Sequence, residues 1–418
     1  MVKLHSDPRG AIFIDPVAFT DMTRWHEVAQ ELRRESPVLR VEAEGWTPFW
    51  AITKYADVQE VSRRNELFWN TPCSAPGPDL QYDLLQAAGL ELPRTLVHLH
   101  GVEHDEYRAV TNDWFKPAAV KGLQPAIDEI ADEYVAKLEE FGGECDLAQD
   151  LAVPFTIRVI MSIFGVPQSD ERLMMELTQG MFGAADPEYI GAFTSPVQLI
   201  QDTITKFQHY FDDVTADRRA HPTDDLATVI ANGQVHGCPM GETERLWYYI
   251  IVATAGHDTT SFAMSGGIAE LLRHPDQVAA LLADPAGLAH NAADEMIRWT
   301  SPVRSFFRWT QADTELRGVP IAVGDVVLTS YPSANRDADV FEGAMEFDIE
   351  RGDAFKLLSF GLGMHFCLGS QVARREVRTM VRKLFERVDS IELAEAPEWS
   401  MAHFVSGVKH LPVRYSLK

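Results

Sequence analysis

The sequence predicts a mainly α-helical protein with small β-sheets, and three observations support this fold class. Helical patterns, in which apolar residues recur every three or four positions, dominate from Gly101 to Arg298. The longest of them runs from Glu242 to His274, and at about 1.5 Å per residue such a helix spans a whole domain. Alternating apolar and polar residues occur in short segments near the N-terminus and after Arg308, which predicts small sheets.

The predicted elements follow one another without an obvious domain boundary. Residues 37–53 contain two strand-like segments around a glycine turn, which predicts a β-hairpin. The stretch Asn70–Leu99 is rich in Pro, Gly and Leu and predicts a long connection of the kind found at binding sites. Glu242–His274 is apolar on most faces, so we expect a central buried helix that ends before a proline. Because the sequence has no repeats or long linkers, we expect a single domain over residues 1–418.

Composition and charge restrict the partners. The chain has 37 lysine and arginine residues against 62 aspartate and glutamate residues, which gives a formal net charge of −25. Such an acidic chain is not expected to bind nucleic acid or an anionic membrane surface. Its first residues contain no apolar core of signal-peptide length, and no run of about 18 apolar residues occurs. We therefore expect a cytoplasmic protein that does not enter the membrane.

The stretch "FGLGMHFCLGS", residues 360–370, places one cysteine in a glycine-rich loop. The chain has four cysteines and no C-x-x-C pair, so the sequence predicts neither a zinc site nor an iron–sulfur site. Cys367 precedes a predicted helix, whose free amides and dipole lower the pKa of a thiol and favour the thiolate. Two interpretations follow: a buried structural cysteine, or a metal-bound thiolate beside a planar cofactor that Phe360 would contact.

A second group of residues interrupts the long helix at "TAGHDTTS", residues 254–261. Ala255 and Gly256 remove bulk from one point of a buried helix, and the acid Asp258 and the alcohol Thr259 follow directly. Buried polar groups are costly unless they have partners, so this pair next to a gap predicts proton transfer to a bound ligand. The alternative is a glycine that packs against a crossing helix, with the threonine bonded to its own backbone.

A third feature is "DEMIRW", in which Glu295 and Arg298 lie three residues apart. Such a pair is typical of a helix surface, where it contributes about 0.2–0.5 kcal/mol. By itself it predicts no function.

Taken together, the three features resemble the cytochrome P-450 family of haem-thiolate monooxygenases. The cysteine loop fills the family's F-G-x-G-x-H-x-C-x-G pattern, "AGHDTT" fits its oxygen-activation motif, and "EMIR" fits its E-x-x-R motif. The resemblance extends from "DPVAF" to "LPVRYSL", nearly the whole chain. Within the family it is greatest for the bacterial α-terpineol monooxygenase group. The resemblance implies the cytochrome P-450 fold, with the long helix across a haem.

The resemblance also implies which residues form the haem site. The implied cofactor is haem b, with its iron bound axially by the Cys367 thiolate. The implied haem contacts are His104, Arg108, Ala255, Gly256, Arg308, Phe360, His365 and Gly369. The implied proton-transfer residues are Asp258 and Thr259. The implied structural triad is Glu295, Arg298 and Arg351. Bacterial members usually have Asp-Pro-Pro before the His104 position, where this chain has "HGVEH", so a propionate contact from His104 stays open.

The implied reaction is the hydroxylation of a C–H bond with O2 and two electrons. A compact apolar substrate is expected, such as a monoterpenoid or an alkyl-aromatic compound. The expected substrate contacts are Phe306, Phe307, Phe404, Val405 and the Asn70–Leu99 connection, and the alternative for each is an ordinary core position. Alternative functions are the same chemistry on a larger substrate such as a sterol side chain, a peroxide-driven hydroxylase, and a non-catalytic haem-binding sensor. The acid–alcohol pair argues against the last two.

The electrons must come from a partner, because the sequence contains no flavin or iron–sulfur signature. The resemblance implies a ferredoxin with its ferredoxin reductase. The helix after Cys367 carries a row of basic residues: Arg374, Arg375, Arg378, Arg382 and Lys383. In an acidic protein this row is a candidate docking surface for an acidic ferredoxin. The alternative is a helix face whose charges are solvated or paired internally.

Overall fold

The structure, a computed structural model, describes residues 3–79, 94–182, 186–190 and 196–418. Most of this part of the chain is helical and its sheets are small, so the predicted fold class is confirmed. The helices are α1 (Met22–Glu35), α2 (Tyr55–Arg63), α3 (Gly101–Thr111), α4 (Pro117–Gly122), α5 (Gln124–Ala136), α6 (Val153–Phe164), α7 (Glu171–Phe182), α8 (Pro187–Ile190), α9 (Pro196–Ala220), α10 (Leu226–Ala231), α11 (Glu242–Leu271), α12 (Pro275–Ala283), α13 (Pro285–Thr300), α14 (Tyr331–Ala334) and α15 (Ser370–Arg387).

The strands are short. They are β1 (Val38–Val41), β2 (Phe49–Ile52), β3 (Phe68–Trp69), β4 (Glu144–Asp146), β5 (Gln234–Val235), β6 (Cys238–Pro239), β7 (Ser305–Thr310), β8 (Thr314–Leu316), β9 (Val319–Ile321), β10 (Val326–Ser330), β11 (Val388–Leu393), β12 (Glu398–Trp399), β13 (Val408–His410) and β14 (Pro412–Leu417). The largest sheet among them has the order β1-β2-β10-β7-β3. β1 and β2 pair antiparallel from Val38 opposite Ile52, which confirms the predicted hairpin. A three-stranded sheet, β11-β14-β4, joins the C-terminus to the start of the helical region.

The long helix α11 is buried along most of its length and packs against α6, α13 and α15. Gly266 permits the close approach of α13, because an added Cβ would lie 2.9 Å from Cγ2 of Thr300. The helix ends at Leu271, three residues before the predicted end at His274. His274 has a non-helical backbone, with φ −120° and ψ 81°, because it precedes Pro275 and the residue before a proline avoids the helical region.

The predicted long connection Asn70–Leu99 is described only at its two ends, since residues 80–93 lie outside the described ranges. The two ends meet at the carbonyl of Val97, which accepts hydrogen bonds from the Asn70 amide at 2.7 Å and the Ser74 hydroxyl at 2.5 Å. Asn70 and Val97 both reach the main cavity of the protein. No helix within the described ranges is both long enough and apolar enough to span a bilayer.

Candidate active site

A cavity of about 1480 Å³ separates the middle of α11 from the loop that precedes α15. Most of the predicted site residues line it: His104, Arg108, Ala255, Gly256, Thr259, Phe306, Arg308, Phe360, His365, Cys367 and Gly369. The remaining predicted residues lie outside its wall: Asp258, Glu295, Arg298, Phe307, Arg351, Phe404 and Val405. The fold therefore brings α3, α11, β7 and the cysteine loop together at one place.

Cys367 contributes exposed surface to this cavity. Its backbone N–H donates to the Phe360 carbonyl at 2.8 Å and closes the loop. Burial raises the pKa of the Cys367 thiol, and hydrogen bonds from the amides of Gly369 and Ser370 oppose this only in part. The sequence predicted a lowered thiol pKa from the helix N-terminus. That prediction is wrong for the protein without a bound metal, in which the pKa of Cys367 is raised. A bound metal cation reverses the effect of burial, because a coordinating thiol is deprotonated.

The glycines of the loop have different purposes. Gly363 has φ +73°, and an added Cβ would lie 2.5 Å from the carbonyl oxygen of Ser62 at the end of α2, so this glycine permits packing against α2. Gly369 has an ordinary φ of −82°, and an added Cβ would meet no protein atom within 4 Å. Gly369 lines the cavity, so its missing side chain leaves space there.

Two histidines, His104 and His365, and two arginines, Arg108 and Arg308, form a polar corner of the cavity, with His100 behind His365. The His365 ring lies 4.4 Å from that of His104 and 5.7 Å from that of His100, between ring centroids. Burial and the neighbouring Arg308, His104, His100 and Arg108 lower the pKa of His365. Both ring nitrogens of His365 are buried without a hydrogen-bond partner among the described residues. The corner thus offers hydrogen-bond donors that would suit carboxylates.

His100 was missed by the sequence analysis, although it lies beside His365 at this corner. Its ring stacks on Trp69 at 5.0 Å, and its Nε2 lies 2.7 Å from the carbonyl oxygen of Asn65. The available signal was spacing, because His100 and His104 are four residues apart at the start of α3. Residues four apart on a helix lie on the same face.

The middle of α11 presents small residues to the cavity. Ala255 is exposed there within an otherwise buried stretch, and Gly256 leaves room for Ile160 of α6, 3.1 Å from where a Cβ would lie. The Thr259 hydroxyl donates to the Ala255 carbonyl at 2.8 Å, as in the alternative interpretation of this segment. Thr259 also lines the cavity, so its oxygen keeps lone pairs for a ligand or a water molecule.

Asp258 faces away from the main cavity. It lines a second cavity, of about 280 Å³, with residues from α7, α8, α11 and the segment before β13: Gln179, Tyr189, Phe262, Ser400, Met401, Ala402 and Val405. Burial raises the pKa of Asp258 to about 7. Its Oδ1 lies 3.4 Å from Nε2 of His257, and its Oδ2 has no partner among the described residues.

Glu295 and Arg298 form a fully buried pair rather than a surface pair. Nε of Arg298 donates to Oε2 of Glu295 at 2.6 Å, and Nη2 donates to Oε1 at 2.7 Å. Arg351 approaches the same carboxylate, with 3.3 Å between its Nε and Oε2. Arg298 also donates to the carbonyls of Asn335 and Ala344, which ties α13 to the segment that leads into the cysteine loop. The three residues are together in space, behind the cavity wall.

The predicted substrate contacts divide between the cavity and the core. Phe306 lines the cavity, but its neighbour Phe307 points to the opposite face of β7 and packs against Phe49, with ring centroids 5.3 Å apart. The prediction for Phe307 is therefore wrong. Phe404 lies behind Phe306, with its ring edge-on at 5.1 Å, and Val405 reaches only the second cavity.

Comparison with known proteins agrees with this geometry. The family model described as Cytochrome P450 matches residues 288–414. A curated relative, Cytochrome P450-terp of Pseudomonas sp, is 38% identical over 416 residues and covers 96% of each chain. The chain belongs to the cytochrome P450 family. It is accordingly a monooxygenase, an oxidoreductase that uses O2, a small substrate and redox partners, and the non-catalytic alternative falls away.

Other members of the family are similar over almost the whole chain. A steroid C26-monooxygenase of Mycolicibacterium smegmatis is 31% identical and covers 93% of this chain and 92% of its own. The crystal structure of CYP108D1 from Novosphingobium aromaticivorans superimposes with a TM-score of 0.90 at 37% identity, over 98% of both chains. The Mycobacterium marinum cytochrome P450 CYP268A2, in complex with pseudoionone, has a TM-score of 0.88 at 28% identity, over 96% of both chains.

Cytochromes P450 bind haem through a thiolate, and the residues of this cavity fit that cofactor. Among the described residues Cys367 presents the one sulfur on the wall, and the amides of Gly369 and Ser370 hydrogen-bond to it. The unpartnered nitrogens of His365, beside two arginines, suit the two carboxylates of a haem. The space beside Gly369 admits a flat ring that a side chain there would obstruct.

The basic row on α15 is mostly paired within the protein. Nε of Arg374 donates to Asp294 at 2.6 Å, Arg382 donates to Asp128 at 2.9 Å, and Lys383 donates to Asp132 at 2.7 Å. Arg375 donates to the side chain of Gln124 at 2.7 Å. Arg378 is exposed, and within the described part of the chain it has no acidic partner within 4 Å.

Proposed function

We propose that this cytochrome P450 hydroxylates a compact apolar substrate, a monoterpenoid or an alkyl-aromatic compound, as one catalytic domain. The observation that carries the proposal is the composition of the cavity wall around Thr259 and the other lining residues. Apart from that hydroxyl, much of this wall is aliphatic or aromatic: Leu96, Val97, Ile251, Val252, Ala263, Val303 and Phe306. A wall of this kind selects by shape and apolar contact, with few polar groups to orient the substrate.

Two relatives support a terpenoid substrate. One bears the name Cytochrome P450-terp, and another was solved with pseudoionone, an apolar branched ketone. The second candidate is a steroid side chain, which the relatives named steroid C26-monooxygenase favour. The two candidates differ in size, so binding experiments separate them.

We assign roles to the residues of the wall from their positions. Cys367 would bind the haem iron, while Arg108, Arg308, His104 and His365 would bind the haem carboxylates. The haem, when bound, supplies oxygen activation and insertion into the C–H bond. Phe306 and its apolar neighbours would exclude water and orient the substrate.

The two polar residues of α11 would manage protons. Thr259 would hold a water molecule at its Oγ1, whose lone pairs face the cavity. Asp258 would pass protons through the helix from the second cavity, because its pKa of about 7 suits both uptake and release near neutral pH. A ferredoxin, reduced by its reductase, would deliver electrons at the face that exposes Arg378.

Binding titrations test the substrate class. Ligands that displace water from a haem iron change its absorption spectrum, so dissociation constants can be measured for α-terpineol, 4-isopropyltoluene and cholesterol on the ferric holoenzyme. We expect at least one of the two small compounds to bind at least about tenfold more tightly than the sterol, which corresponds to about 1.4 kcal/mol. Tighter sterol binding, with conversion of the sterol to product, would overturn the proposal. Absence of the red-shifted band of a thiolate haem with carbon monoxide would overturn the role of Cys367.

A further inference from the structure

His257 is the residue between the small positions of α11 and the acid Asp258, and the proposed function leaves it without a role. Its side chain is completely buried and points toward α6. Its Nδ1 lies 2.9 Å from the Oγ1 of Thr156, in the first turn of α6. This contact is the only hydrogen bond of the imidazole among the described residues.

The surroundings of Thr156 decide which ring nitrogen carries the proton. Its hydroxyl lies 3.0 Å from the Ala152 carbonyl and 3.1 Å from the Val153 carbonyl, at the π-helical turn that precedes α6. A hydroxyl has one proton, and two carbonyl oxygens compete for it with a single imidazole nitrogen. Donation to a carbonyl makes the Thr156 oxygen the acceptor of the contact with His257 and Nδ1 its donor. The Nε2 atom therefore has a lone pair and no proton.

The carboxyl group of Asp258 lies beside Nε2 of His257. Nε2 has no accessible surface and no hydrogen-bond partner, and it lies 3.4 Å from Oδ1 of Asp258. The groups that face Asp258 from other elements are Gln179 of α7, Tyr189 of α8 and Ser400 of the C-terminal segment. Among the described residues no lysine or arginine lies within 4 Å of this carboxylate. An anion at this position would meet a lone pair and a mostly neutral wall.

We infer that His257 is a positioning residue, which accepts a hydrogen bond from the protonated carboxyl group of Asp258 because Thr156 keeps the imidazole proton on Nδ1. The inference rests on the proposed function, in which Asp258 would pass on the proton of its carboxyl group. Oδ2 of Asp258 stays free toward the second cavity. In this protonated form the pair is uncharged, and Thr156 determines the tautomer of its imidazole from a different helix.

The charges of the two groups agree with this arrangement. Burial lowers the pKa of His257 to about 3 and raises the pKa of Asp258 to about 7. At neutral pH the imidazole is therefore uncharged, and the carboxyl group is close to half protonated. Loss of the Nε2 acceptor, or a shift of the imidazole proton from Nδ1 to Nε2, destabilises the protonated carboxyl group of Asp258.

The test compares Thr156→Val with Thr156→Ser in the ferric holoenzyme. Valine has nearly the shape of threonine but lacks the hydroxyl, whereas serine retains it. The readout is the infrared band of the protonated Asp258 carboxyl group, identified as the band that the Asp258→Asn variant lacks. Its intensity is followed through a pH titration. In Thr156→Val the imidazole proton can move to Nε2 and donate to the carboxylate. We therefore expect the band to titrate about one pH unit lower than in the wild type, about a tenfold change.

Thr156→Ser should titrate like the wild type. His257→Phe should shift the band to higher frequency because the hydroxyl loses its acceptor, and His257→Gln, whose amide oxygen can accept, should restore it. This second pair decides the question if Thr156→Val does not fold. A Thr156→Val titration equal to that of the wild type, or no such band in the wild type at pH 6, would overturn the inference. The band is measured without turnover. A failure of the proposed proton-transfer role would instead appear as oxygen use that stays fully coupled to product formation in Asp258→Asn, so the two failures are distinguishable.

Discussion

Asp258 and Thr259 are consecutive residues of α11, and they face different cavities. Thr259 lines the main cavity beside Ala255, and Asp258 lines the small cavity closed by α7 and α8. Successive side chains on a helix are rotated by about 100°, so adjacent positions point to different neighbours. The helix itself therefore separates the acid from the main cavity.

This separation predicts different effects of two substitutions on substrate binding. Thr259→Ala removes a hydroxyl and a methyl group from the substrate cavity, so we expect the dissociation constant of the best substrate to change by about threefold or more. Asp258→Asn is nearly isosteric and lies outside that cavity, so a change of less than about twofold is expected. Spectral titration of both ferric variants measures the two constants. Equal effects would show that the two side chains share one space.

The buried pair of Glu295 and Arg298 predicts a large loss of stability on Glu295→Gln. The substitution leaves the guanidinium of Arg298 buried without its carboxylate, which costs about 3–5 kcal/mol. Urea denaturation, monitored by circular dichroism, measures this loss. The control is Glu27→Gln, which breaks the exposed pair between Arg24 and Glu27 and should cost less than about 0.5 kcal/mol. Similar losses in both variants would contradict the structural role of the buried pair.

The two glycines of the cysteine loop predict opposite outcomes on substitution by alanine. Gly363→Ala introduces a left-handed backbone strain and a clash with Ser62, so we expect destabilisation by about 2 kcal/mol or more. Gly369→Ala meets no protein atom and has an ordinary φ, so the protein without haem should keep its stability. The added methyl group lies in the cavity, and we expect faster loss of haem to an acceptor protein. A destabilised Gly369→Ala apoprotein would show that this glycine also serves packing.

The pair of His410 with Asp146 predicts a pH-dependent contribution to stability. Partial burial lowers the pKa of His410, but the hydrogen bond to Asp146, at 2.6 Å, and the charge of Glu188 outweigh it, so that pKa is raised. The contribution is thus complete below the ordinary pKa of about 6.5 and is lost as the pH rises through the raised value.

The measurement is the free energy of unfolding of the wild type minus that of His410→Gln, from acidic to alkaline pH. The difference should be largest below pH 6.5 or so and should shrink as the pH increases. His221, which forms an exposed pair with Asp217, provides the control, and His221→Gln should change the free energy of unfolding little. A difference that grows with pH would contradict the raised pKa of His410.

The exposed Arg378 predicts the position of the electron donor. If a ferredoxin binds at this face, Arg378→Gln should raise the KM for ferredoxin about three- to tenfold at low salt, and the effect should decrease as salt screens the charge. Arg172, exposed on α7, is the control, and Arg172→Gln should leave that KM unchanged. Electron-transfer rates at several ferredoxin concentrations measure it. Equal effects of the two variants would indicate that only net charge matters.

Local patterns in the sequence predicted the helices, the hairpin and the candidate haem-site residues. The spacing of Cys367, His365 and the loop glycines is a local property, because one short loop contains all of them. The long helix was predictable because its apolar residues run almost all round it. The helix ends three residues before its predicted end, since Pro275 at the start of α12 also restricts the backbone of His274.

Only the tertiary structure decided which face of an element each side chain occupies. Phe307 was expected at the substrate but lies in the core, because strand alternation places it opposite Phe306. Glu295 and Arg298 have the spacing of a surface pair, and only the packing of α13 shows that they are buried. The hydrogen bond from His257 to Thr156 joins residues about one hundred positions apart. No local pattern contains such a contact, because it depends on how α6 packs against α11.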